Sequence, residues 1–372
     1  TPATIASRLC ALKPDLAIAA TFWVTPFDWL PLQDAMVADE LRAHGIETMC
    51  HPSSVALDCY DKWRTHLLLS SHGFPVADAI HLDYQQFWCE RSHHELTSNV
   101  YKTYLLRQLE QMTYPVVIKD TTGLSSYGME VATTYKQALH YIYSGRTNSD
   151  RIIETYLDGA QFGTEIYGRD GNYTVLDPLL FSLNRYGITS PKQSVKLGPI
   201  TSDTYQIAEL KAMLTRLACA LKLDGIAQVD VVFSGGKWFI IEVNPRLSGM
   251  TETYAASIGR SVYDLLYRTA RKLPVAAPLQ PVCNGKLPLL TDEQLALVSA
   301  ADGVRYVHQI FNTAAKQERE KGYCEVIFSA PTFSELHTVV EQFAARHAAF
   351  IEPVFLERVR ALFQTSGLER AF

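Results

Sequence analysis

The chain of 372 residues is long enough for two or three domains, at roughly 150 residues per domain. Hydrophobic residues make up 47% and charged residues 20% of the sequence, as in folded globular proteins, which excludes disordered and low-complexity classes. The formal net charge of −5 argues against binding of nucleic acid or an anionic membrane through bulk charge. An anionic ligand must therefore be met by a few locally placed basic side chains.

Cysteine usage and hydropathy bear on the cellular compartment. The seven cysteines include no C-x-x-C pair, which favours free thiols in a reducing cytosol over a disulfide or zinc framework. No run reaches the roughly 18 to 20 consecutive apolar residues that cross a bilayer. We therefore expect a cytoplasmic protein with no membrane or nucleic-acid partner.

The first part of the chain alternates between strand and helix patterns, as an α/β unit does. A short continuous apolar run is typical of a buried parallel strand, and Gly45 ends the helix before the next strand. The elements predicted here are a strand at 16–20, a helix at 32–44, a strand at 46–49, a helix at 62–71 and a helical, partly polar stretch at 85–112.

From residue 114 the pattern changes to strands joined by glycine-containing turns. Strands are predicted at 115–119, 129–132, 151–154, 163–167, 227–233 and 238–243, with helices at 134–143 and 205–221. The remaining residues, about 271–372, are predicted to contain one strand, at 323–328, between helical segments.

A lysine at the end of a predicted strand is followed by a loop rich in glycine and hydroxyl residues. Lys119 ends the strand, and the loop 121–128 contains Gly123, Ser125, Ser126 and Gly128. Glycines and hydroxyls let backbone N–H groups approach phosphate oxygens, to which the lysine adds a positive charge. No G-K-[ST] follows, so this is not a Walker loop, and a plain β-hairpin turn is the alternative.

A second strand ends in the carboxylate of Glu154 and continues into an extended linker. A hinge of this kind can present a carboxylate to an adenine amino group, with Tyr156 and Leu157 as an apolar wall. A solvated strand end is the alternative explanation.

The most specific pattern lies on two strands joined by a hairpin. Alternation places Gln228 and Asp230 on one face of the first strand, and Glu242 and Asn244 on one face of the second. Antiparallel pairing would bring two carboxylates and an amide together, and such hard oxygen ligands suit Mg²⁺. Without a cation, two buried carboxylates would repel each other. A structural ion pair with Arg246 is the alternative.

One more lysine, Lys62 in Asp61-Lys62-Trp63-Arg64, precedes these motifs at a predicted helix start. The order of lysine, lysine, hydroxyl loop, hinge glutamate, Asp and Glu-x-Asn-x-Arg resembles the ATP-grasp superfamily across roughly residues 16–270. The likeness is to the branch of D-alanine:D-alanine ligase, L-amino acid ligases and the carbamoyl phosphate synthetase and biotin carboxylase domains. Residues 119–129 look like the dipeptide-ligase phosphate loop, whereas 242–246 is more similar to carbamoyl phosphate synthetase and L-amino acid ligases.

The resemblance implies an α/β and α+β protein with the ATP-grasp fold. Its expected parts are a shortened Rossmann-like lobe at 1–78, a small ATP-grasp lobe with the phosphate loop at 79–153, a large lobe with the metal site at 154–270, and a C-terminal α+β appendage at 271–372. It further implies that Glu154 and Leu157 hold adenine, and that Asp230, Glu242 and Asn244 hold two Mg²⁺ ions, with Mn²⁺ as a substitute. The full set of residues expected to bind ATP is Lys62, Lys119, Gly123, Ser125, Ser126, Gly128, Glu154, Tyr156, Leu157, Gln161 and Glu165.

Two positions depart from the family pattern. Gln161 stands where the family commonly has a ribose-binding carboxylate, and Glu165 is the nearby substitute. Gln228 stands where D-alanine ligases have an arginine, so we assign stabilisation of the anionic intermediate to Arg246.

The activity that the resemblance implies is an ADP-forming carboxylate-amine ligase, which makes an amide through an acyl phosphate. We expect Arg246, Ser126 and Lys196 to be catalytic. The expected substrates are small-molecule carboxylates and amines, and a homodimer is compatible with this interpretation. The polar segment 184–201, which contains Lys196, is interpreted as a mobile flap, with a plain solvent loop as the alternative. The alternatives to the ligase are an enzyme that uses bicarbonate, like biotin carboxylase or carbamoyl phosphate synthetase, and a non-catalytic ATP-binding module.

Overall fold

The structure, a computed structural model, describes residues 1–22, 29–123, 129–144, 148–182, 194–275, 278–311 and 322–365. Its helices are α1 (Pro2–Ala11), α2 (Leu30–Ala43), α3 (Ser53–Tyr60), α4 (Lys62–Ser71), α5 (Tyr84–Phe87), α6 (Val100–Gln111), α7 (Tyr135–Tyr143), α8 (Ile207–Leu221), α9 (Thr251–Ile258), α10 (Val262–Ala270), α11 (Asp292–Ser299), α12 (Phe333–Arg346) and α13 (Pro353–Thr365). Its strands are β1 (Leu16–Ile18), β2 (Glu47–Met49), β3 (Ala79–Leu82), β4 (Val116–Asp120), β5 (Glu130–Ala132), β6 (Arg151–Thr155), β7 (Ala160–Arg169), β8 (Asn172–Val175), β9 (Leu179–Phe181), β10 (Lys196–Gly198), β11 (Gly225–Ser234), β12 (Lys237–Asn244), β13 (Val282–Leu287), β14 (Val304–Phe311) and β15 (Gly322–Ser329). Over these ranges, no helix combines the length and apolarity needed to cross a membrane.

The N-terminal unit contains a two-stranded parallel sheet, in which Leu16 of β1 lies opposite Glu47 of β2. Small residues let the helices approach closely: Ala35 and Ala38 of α2 are at most 2% exposed and pack with Ala56 of α3. This is the α/β unit that the sequence predicts, reduced to two strands.

Polar contacts dock this unit on the larger part of the molecule. The buried ring of His51, just after β2, accepts the Asp224 N–H at Nδ1 (3.1 Å) and donates from Nε2 to the Ile226 carbonyl (2.9 Å). Burial lowers the pKa of His51 to about 4, so the ring is neutral near pH 7. Arg169 of β7 adds ion pairs to Glu47 (3.1 Å) and Asp224 (3.0 Å).

A four-stranded antiparallel sheet, ordered β3-β6-β4-β5, forms the small lobe. Its inner face, with Val116 and Ile118 fully buried, packs on a cluster that includes Leu109 of α6 and Ala138 of α7. Because side chains alternate along a strand, Lys119 and Glu154 point to the opposite face. Glu154 lies opposite Val117, so Lys119 is its diagonal neighbour.

The largest sheet has nine strands in the order β12-β11-β7-β9-β10-β13-β15-β14, with β8 paired to β7. It continues across residue 270, where the sequence predicts a domain boundary. The prediction of a single strand beyond residue 271 is wrong, because β13 and β14 flank β15. β13 was missed because Asn284, Gly285 and Lys286 interrupt its apolar pattern.

The two faces of this sheet differ in polarity. One face packs on α8, where Leu210, Leu214 and Leu217 are fully buried together with Phe162 and Val229. The opposite face carries polar side chains from β7, β11, β10 and β13: Glu165, Gln228, Asp230, Lys196 and Asn284. This polar face is the one that bears the candidate site.

Candidate functional site

A cleft separates the small-lobe sheet from β12 and α4. Four residues predicted to bind nucleotide or metal line it, together with five that the sequence did not single out. The lining residues are Lys62, His66, Leu69, Val76, Lys119, Glu154, Ile240, Ile241 and Glu242. The cleft therefore joins predicted residues that are up to 180 positions apart in the chain.

Lys119 and Glu154 form an ion pair at the small-lobe side of this cleft. Lys119 Nζ lies 2.5 Å from Glu154 Oε2, and the two side chains are 16% and 13% exposed. The pair offers a ligand one cation and one carboxylate acceptor at adjacent positions.

Lys62 is anchored at the first turn of α4, where the Asp61 side chain accepts the Arg64 N–H at 2.8 Å as the N-terminal cap. The backbone N–H of Lys62 donates to the Thr121 carbonyl (2.7 Å), and its Nζ donates to the Gly123 carbonyl (3.1 Å). Gly123 has a φ of +132°, a conformation that favours glycine. The predicted residues Ser125, Ser126 and Gly128 lie outside the described residues.

The predicted metal ligands are adjacent on the polar face of β11 and β12. Asp230 lies opposite Glu242, and Gln228 lies opposite Asn244. A chain of hydrogen bonds runs along this row: Arg246 Nη2 donates to Asn244 Oδ1 (3.0 Å), Asn244 Nδ2 to Gln228 Oε1 (2.8 Å), and Gln228 Nε2 to Asp230 Oδ1 (2.5 Å). Gln228, which strand alternation predicts on the same face as Asp230, connects the other members.

The electrostatics of this row fit a divalent cation. Burial and then the negative charge of Glu242 raise the pKa of Asp230 to about 7. A cation between the carboxylates would remove this repulsion, and amide oxygens complete a set of hard ligands. Within the described ranges, no group of three or more His, Cys, Asp or Glu side chains is placed to hold a metal. The row therefore supplies two carboxylates. This number suits Mg²⁺, whose other coordination positions are commonly filled by water and by phosphate oxygens.

Lys196 lies on β10 rather than in a loop. It pairs in register with Phe181 and Asn284, and its side chain faces the same side of the sheet as Asp230. Burial lowers the pKa of Lys196, while the nearby carboxylates of Asp230 and Glu165 oppose that shift. The segment predicted as a flap, 184–201, therefore includes the central strand β10. Its residues 184–193 lie outside the described part of the chain.

Glu165 does not fit its predicted role as a ribose ligand. It is fully buried and accepts hydrogen bonds from Tyr167 Oη (2.6 Å), Ser248 Oγ (3.1 Å) and Thr251 Oγ1 (2.6 Å). The Ser248 N–H in turn donates to Thr251 Oγ1 (3.0 Å). Glu165 instead holds the turn that follows Arg246. Because the Glu165 side chain is fully buried, the predicted contact with ribose is wrong.

Tyr156, Leu157 and Gln161 lie on and just after the linker from β6 to β7. The Tyr156 N–H donates to the Pro115 carbonyl (2.9 Å), and Gln161 pairs with Val232 at the start of β7. None of the three is among the described residues that line the cleft. Their contact with a nucleotide stays a prediction.

A buried polar cluster from the C-terminal region extends the same face, and the sequence did not predict it. Lys286 contacts the Glu325 carboxylate, and the two side chains are only 6% and 4% exposed. Asn284 donates to Glu325 Oε1 (2.9 Å) and to Thr253 Oγ1 (2.6 Å). The sequence signal for this cluster is the i, i+2 spacing of Asn284 and Lys286. That spacing places both side chains on one face only if residues 282–287 form a strand.

A second cleft lies between the N-terminal unit and the turn after Asn244. Its lining includes Thr21, Asp34, His51, Arg246 and Leu247. Thr21 Oγ1 donates to Asp34 Oδ2 (2.6 Å), and burial raises the pKa of Asp34. Arg246 thus borders a cavity distinct from the one that Lys119 and Glu154 line.

Residues 68–258, just over half of the chain, match the family model described as the D-ala D-ala ligase C-terminus. The chain belongs to this family. Its fold is therefore the ATP-grasp fold, as the order of motifs predicts. The matched range includes Lys119, Glu154 and the row from Asp230 to Arg246, and it ends before β13.

Among curated relatives, the carbamoyl phosphate synthase large chain of Thermotoga petrophila is 24% identical over 190 residues. That match covers 50% of this chain and only 17% of the relative.

Two solved ATP-grasp structures resemble nearly the whole chain. The L-amino acid ligase from Bacillus licheniformis has a TM-score of 0.66 at 16% identity, covering 94% of this chain and 83% of that chain. The biotin carboxylase domain of 2-oxoglutarate carboxylase from Hydrogenobacter thermophilus, in complex with MgADP and bicarbonate, has a TM-score of 0.66 at 13% identity, covering 99% and 84%. These likenesses show the ATP-grasp architecture across the chain.

Proposed function

We propose that this protein is an ADP-forming carboxylate-amine ligase that makes a peptide-like amide bond through an acyl phosphate, with an amino acid as one substrate. The observation that carries the proposal is the continuous row from Asp230 to Arg246, whose neighbour Glu242 also lines the cleft of Lys119 and Glu154. It combines ligands for a cation with a guanidinium at one site.

The cleft has the chemistry expected of an ATP site. Its apolar walls, Val76, Ile240 and Ile241, suit a flat base, and Glu154 is an acceptor for an exocyclic amino group. Lys62 and Lys119 supply positive charge for phosphates, in keeping with the small overall charge of the chain. The MgADP bound to the biotin carboxylase relative supports this assignment by analogy.

Asp230, Glu242 and Asn244 would hold Mg²⁺, and we propose two ions. When bound, Mg²⁺ neutralises phosphate charge and polarises the transferred group. The chain's own contribution is to fix the Asp230 carboxylate and the Asn244 amide through hydrogen bonds to Gln228, with Glu242 held opposite Asp230 by the strand register.

The proposed reaction has two steps. A substrate carboxylate takes the γ-phosphoryl group of ATP, so that ADP forms together with an acyl phosphate. An amine then attacks the acyl carbon, loses a proton, and phosphate leaves as the amide forms. Positioning and charge neutralisation are the main requirements of the first step, and Lys196 beside Asp230 serves both.

Arg246 is the proposed donor to the oxyanion of the second step. Its guanidinium is fixed by Asn244 Oδ1 (3.0 Å) and the Leu247 carbonyl (3.2 Å), and a preorganised donor is what a tetrahedral intermediate needs. The turn after it is held by Glu165, so the donor does not have to reorganise during the reaction.

The test is phosphate release from MgATP in the presence of amino acids, with and without small amines, with the product identified by mass spectrometry. We expect release that requires both a carboxylate and an amine, with formation of the amide. Release that requires bicarbonate, or that occurs without an acceptor, would contradict the proposal. Glu242→Gln, checked for native circular dichroism, should lose Mg²⁺-dependent turnover.

A further inference from the structure

His66 lies on the face of α4 that borders the proposed nucleotide cleft. Lys62, His66 and Leu69 are spaced at i, i+4 and i+7 on this helix, and all three line the cleft. The imidazole therefore belongs to the same wall as the first lysine of the site.

The plane of the His66 ring is set by Trp63. The two rings stack with centroids 5.3 Å apart and planes 7° from parallel, and Trp63 also stacks on His81 of β3 at 5.1 Å and 10°. A stacked ring can direct an in-plane N–H at a fixed angle, which suits recognition of a planar ligand.

His66 Nδ1 is buried and has no hydrogen-bond partner among the described residues. Three other buried side-chain atoms there lack a hydrogen bond. Arg169 Nε and Asp224 Oδ1 form an ion pair with each other (3.0 Å), and His347, which carries the third atom, does not line the cleft. Since buried polar atoms in proteins are nearly always paired, an atom of this kind at the wall of a cleft points to a ligand.

The surroundings of His66 favour a neutral ring. Burial lowers its pKa and Lys119 acts in the same direction, against the carboxylates of Glu154 and Asp78. A neutral imidazole keeps one N–H donor. Glu154, an acceptor, lines the same cleft, so the cleft offers a flat ring an acceptor and a neutral donor beside the charged donors of Lys62 and Lys119.

We infer that the His66 Nδ1–H donates a hydrogen bond to a ring nitrogen of the nucleotide base and makes His66 a specificity-determining residue of this site. The inference rests on the proposed function, since it takes the cleft to be the nucleotide site. Adenine presents an amino group beside a ring nitrogen, which matches the acceptor Glu154 and the donor His66. Guanine presents an oxygen at the position of that amino group and would face the Glu154 carboxylate.

The test is calorimetric titration with MgADP, which requires no knowledge of the other substrates. His66→Phe keeps an aromatic ring against Trp63 and removes the N–H, and should weaken MgADP binding about tenfold. His66→Asn retains an N–H near the Nδ1 position and should recover part of that loss. The matched control is His81→Phe, which alters the other ring of the stack outside the cleft and should bind MgADP as the unmodified protein does.

A second arm uses ADP analogues in which N1, N3 or N7 of the base is replaced by carbon. In the unmodified protein, one analogue should bind about tenfold less tightly than ADP. In His66→Phe, that same analogue and ADP should bind with equal affinity. Equal MgADP affinity of His66→Phe and the unmodified protein would overturn the inference, as would an equal loss for every analogue in both proteins. Failure of the unmodified protein to bind MgADP would instead overturn the proposed function.

Discussion

At the residue scale, two carboxylates with raised pKa values occupy the polar face of the large sheet, the half-buried Asp230 and the fully buried Glu165. Burial and Glu242 raise the pKa of Asp230 to about 7, and burial raises that of Glu165 to about 7 as well. Their surroundings differ, because Asp230 shares its site with a second carboxylate whereas Glu165 is enclosed by three hydroxyl donors. They should therefore respond differently to cations and to pH.

Cation binding at Asp230 should weaken as the pH falls. A cation binds the ionised carboxylate, so a pKa of about 7 predicts roughly tenfold weaker binding at pH 6 than at pH 8. Electron paramagnetic resonance with Mn²⁺ as the probe measures this without nucleotide. Asp230→Asn should bind Mn²⁺ weakly at both pH values, and equal affinity of the unmodified protein at pH 6 and pH 8 would contradict the assignment.

Glu165 should make the protein less stable as the pH rises from about 4.5 to about 7. Its folded-state pKa lies above the ordinary value of 4.5, so the folded state is penalised once the carboxyl ionises. Glu165→Gln removes that charge and should reduce the loss of unfolding free energy between pH 5 and pH 8 by on the order of 2 kcal/mol. Urea unfolding at the two pH values is the measurement.

The control for this experiment is Glu40→Gln on the exposed face of α2. It should leave the pH dependence of stability as it is in the unmodified protein. A Glu165→Gln variant with that same pH dependence would show that Glu165 does not carry the effect.

At the element scale, the linker from β6 to β7 lies closely against the turn between β11 and β12. Ser234 Oγ donates to the Asp158 carbonyl (2.7 Å), and a Cβ on Gly159 would lie 2.2 Å from the Phe233 carbonyl oxygen. Only a residue without a side chain fits there. The linker that follows Glu154 is thus positioned by the hairpin that carries the proposed metal ligands.

Gly159→Ala should separate these two elements. Backbone atoms cannot yield as a flexible side chain can, so we expect the free energy of unfolding to fall by roughly 2 kcal/mol. Chemical denaturation measures it, with Asp158→Ala, an exposed neighbour, as the variant that should change stability little. A Gly159→Ala protein as stable as the unmodified one would show that the linker can move away at no cost.

The sequence alone was sufficient to predict the helices and strands that have a strong local pattern of apolar residues. The predicted helix at 62–71 coincides with α4, and the strands predicted at 227–233 and 238–243 lie within β11 and β12. β13 could not be predicted, because its polar residues are explained only by pairing with β10 and β15, some 40 to 90 residues away in the chain. Likewise, the roles of Gln228 and Glu165 depend on register and on the turn at Ser248, which no local pattern encodes.

At the scale of the whole molecule, the nine-stranded sheet and the main hydrophobic core both include the C-terminal region. β10 pairs with β13, and Phe355 and Val359 of α13 belong to the same buried cluster as Leu197 and Leu214. The C-terminal region therefore contributes to the stability of the large lobe as well as to its polar face.

A chain ending at residue 270 should consequently fail to fold. It loses the partner strand of β10 and leaves part of the main core open to water, so we expect aggregation and no cooperative unfolding transition. Size-exclusion chromatography and thermal unfolding would show this, and co-expression with residues 271–372 should restore a soluble complex. A stable, cooperative fragment would instead establish the C-terminal region as an independent domain, as the sequence predicts.

The buried cluster of Asn284, Lys286 and Glu325 has a consequence for how specificity can change. It continues the polar face beyond Lys196, yet it is encoded outside residues 68–258, the range that the family model matches. The proposed nucleotide cleft and this buried cluster are therefore encoded in separate stretches of the gene. Under the proposed ligase function, recombination or directed evolution confined to the last hundred codons could change substrate preference while leaving the proposed nucleotide site unaltered.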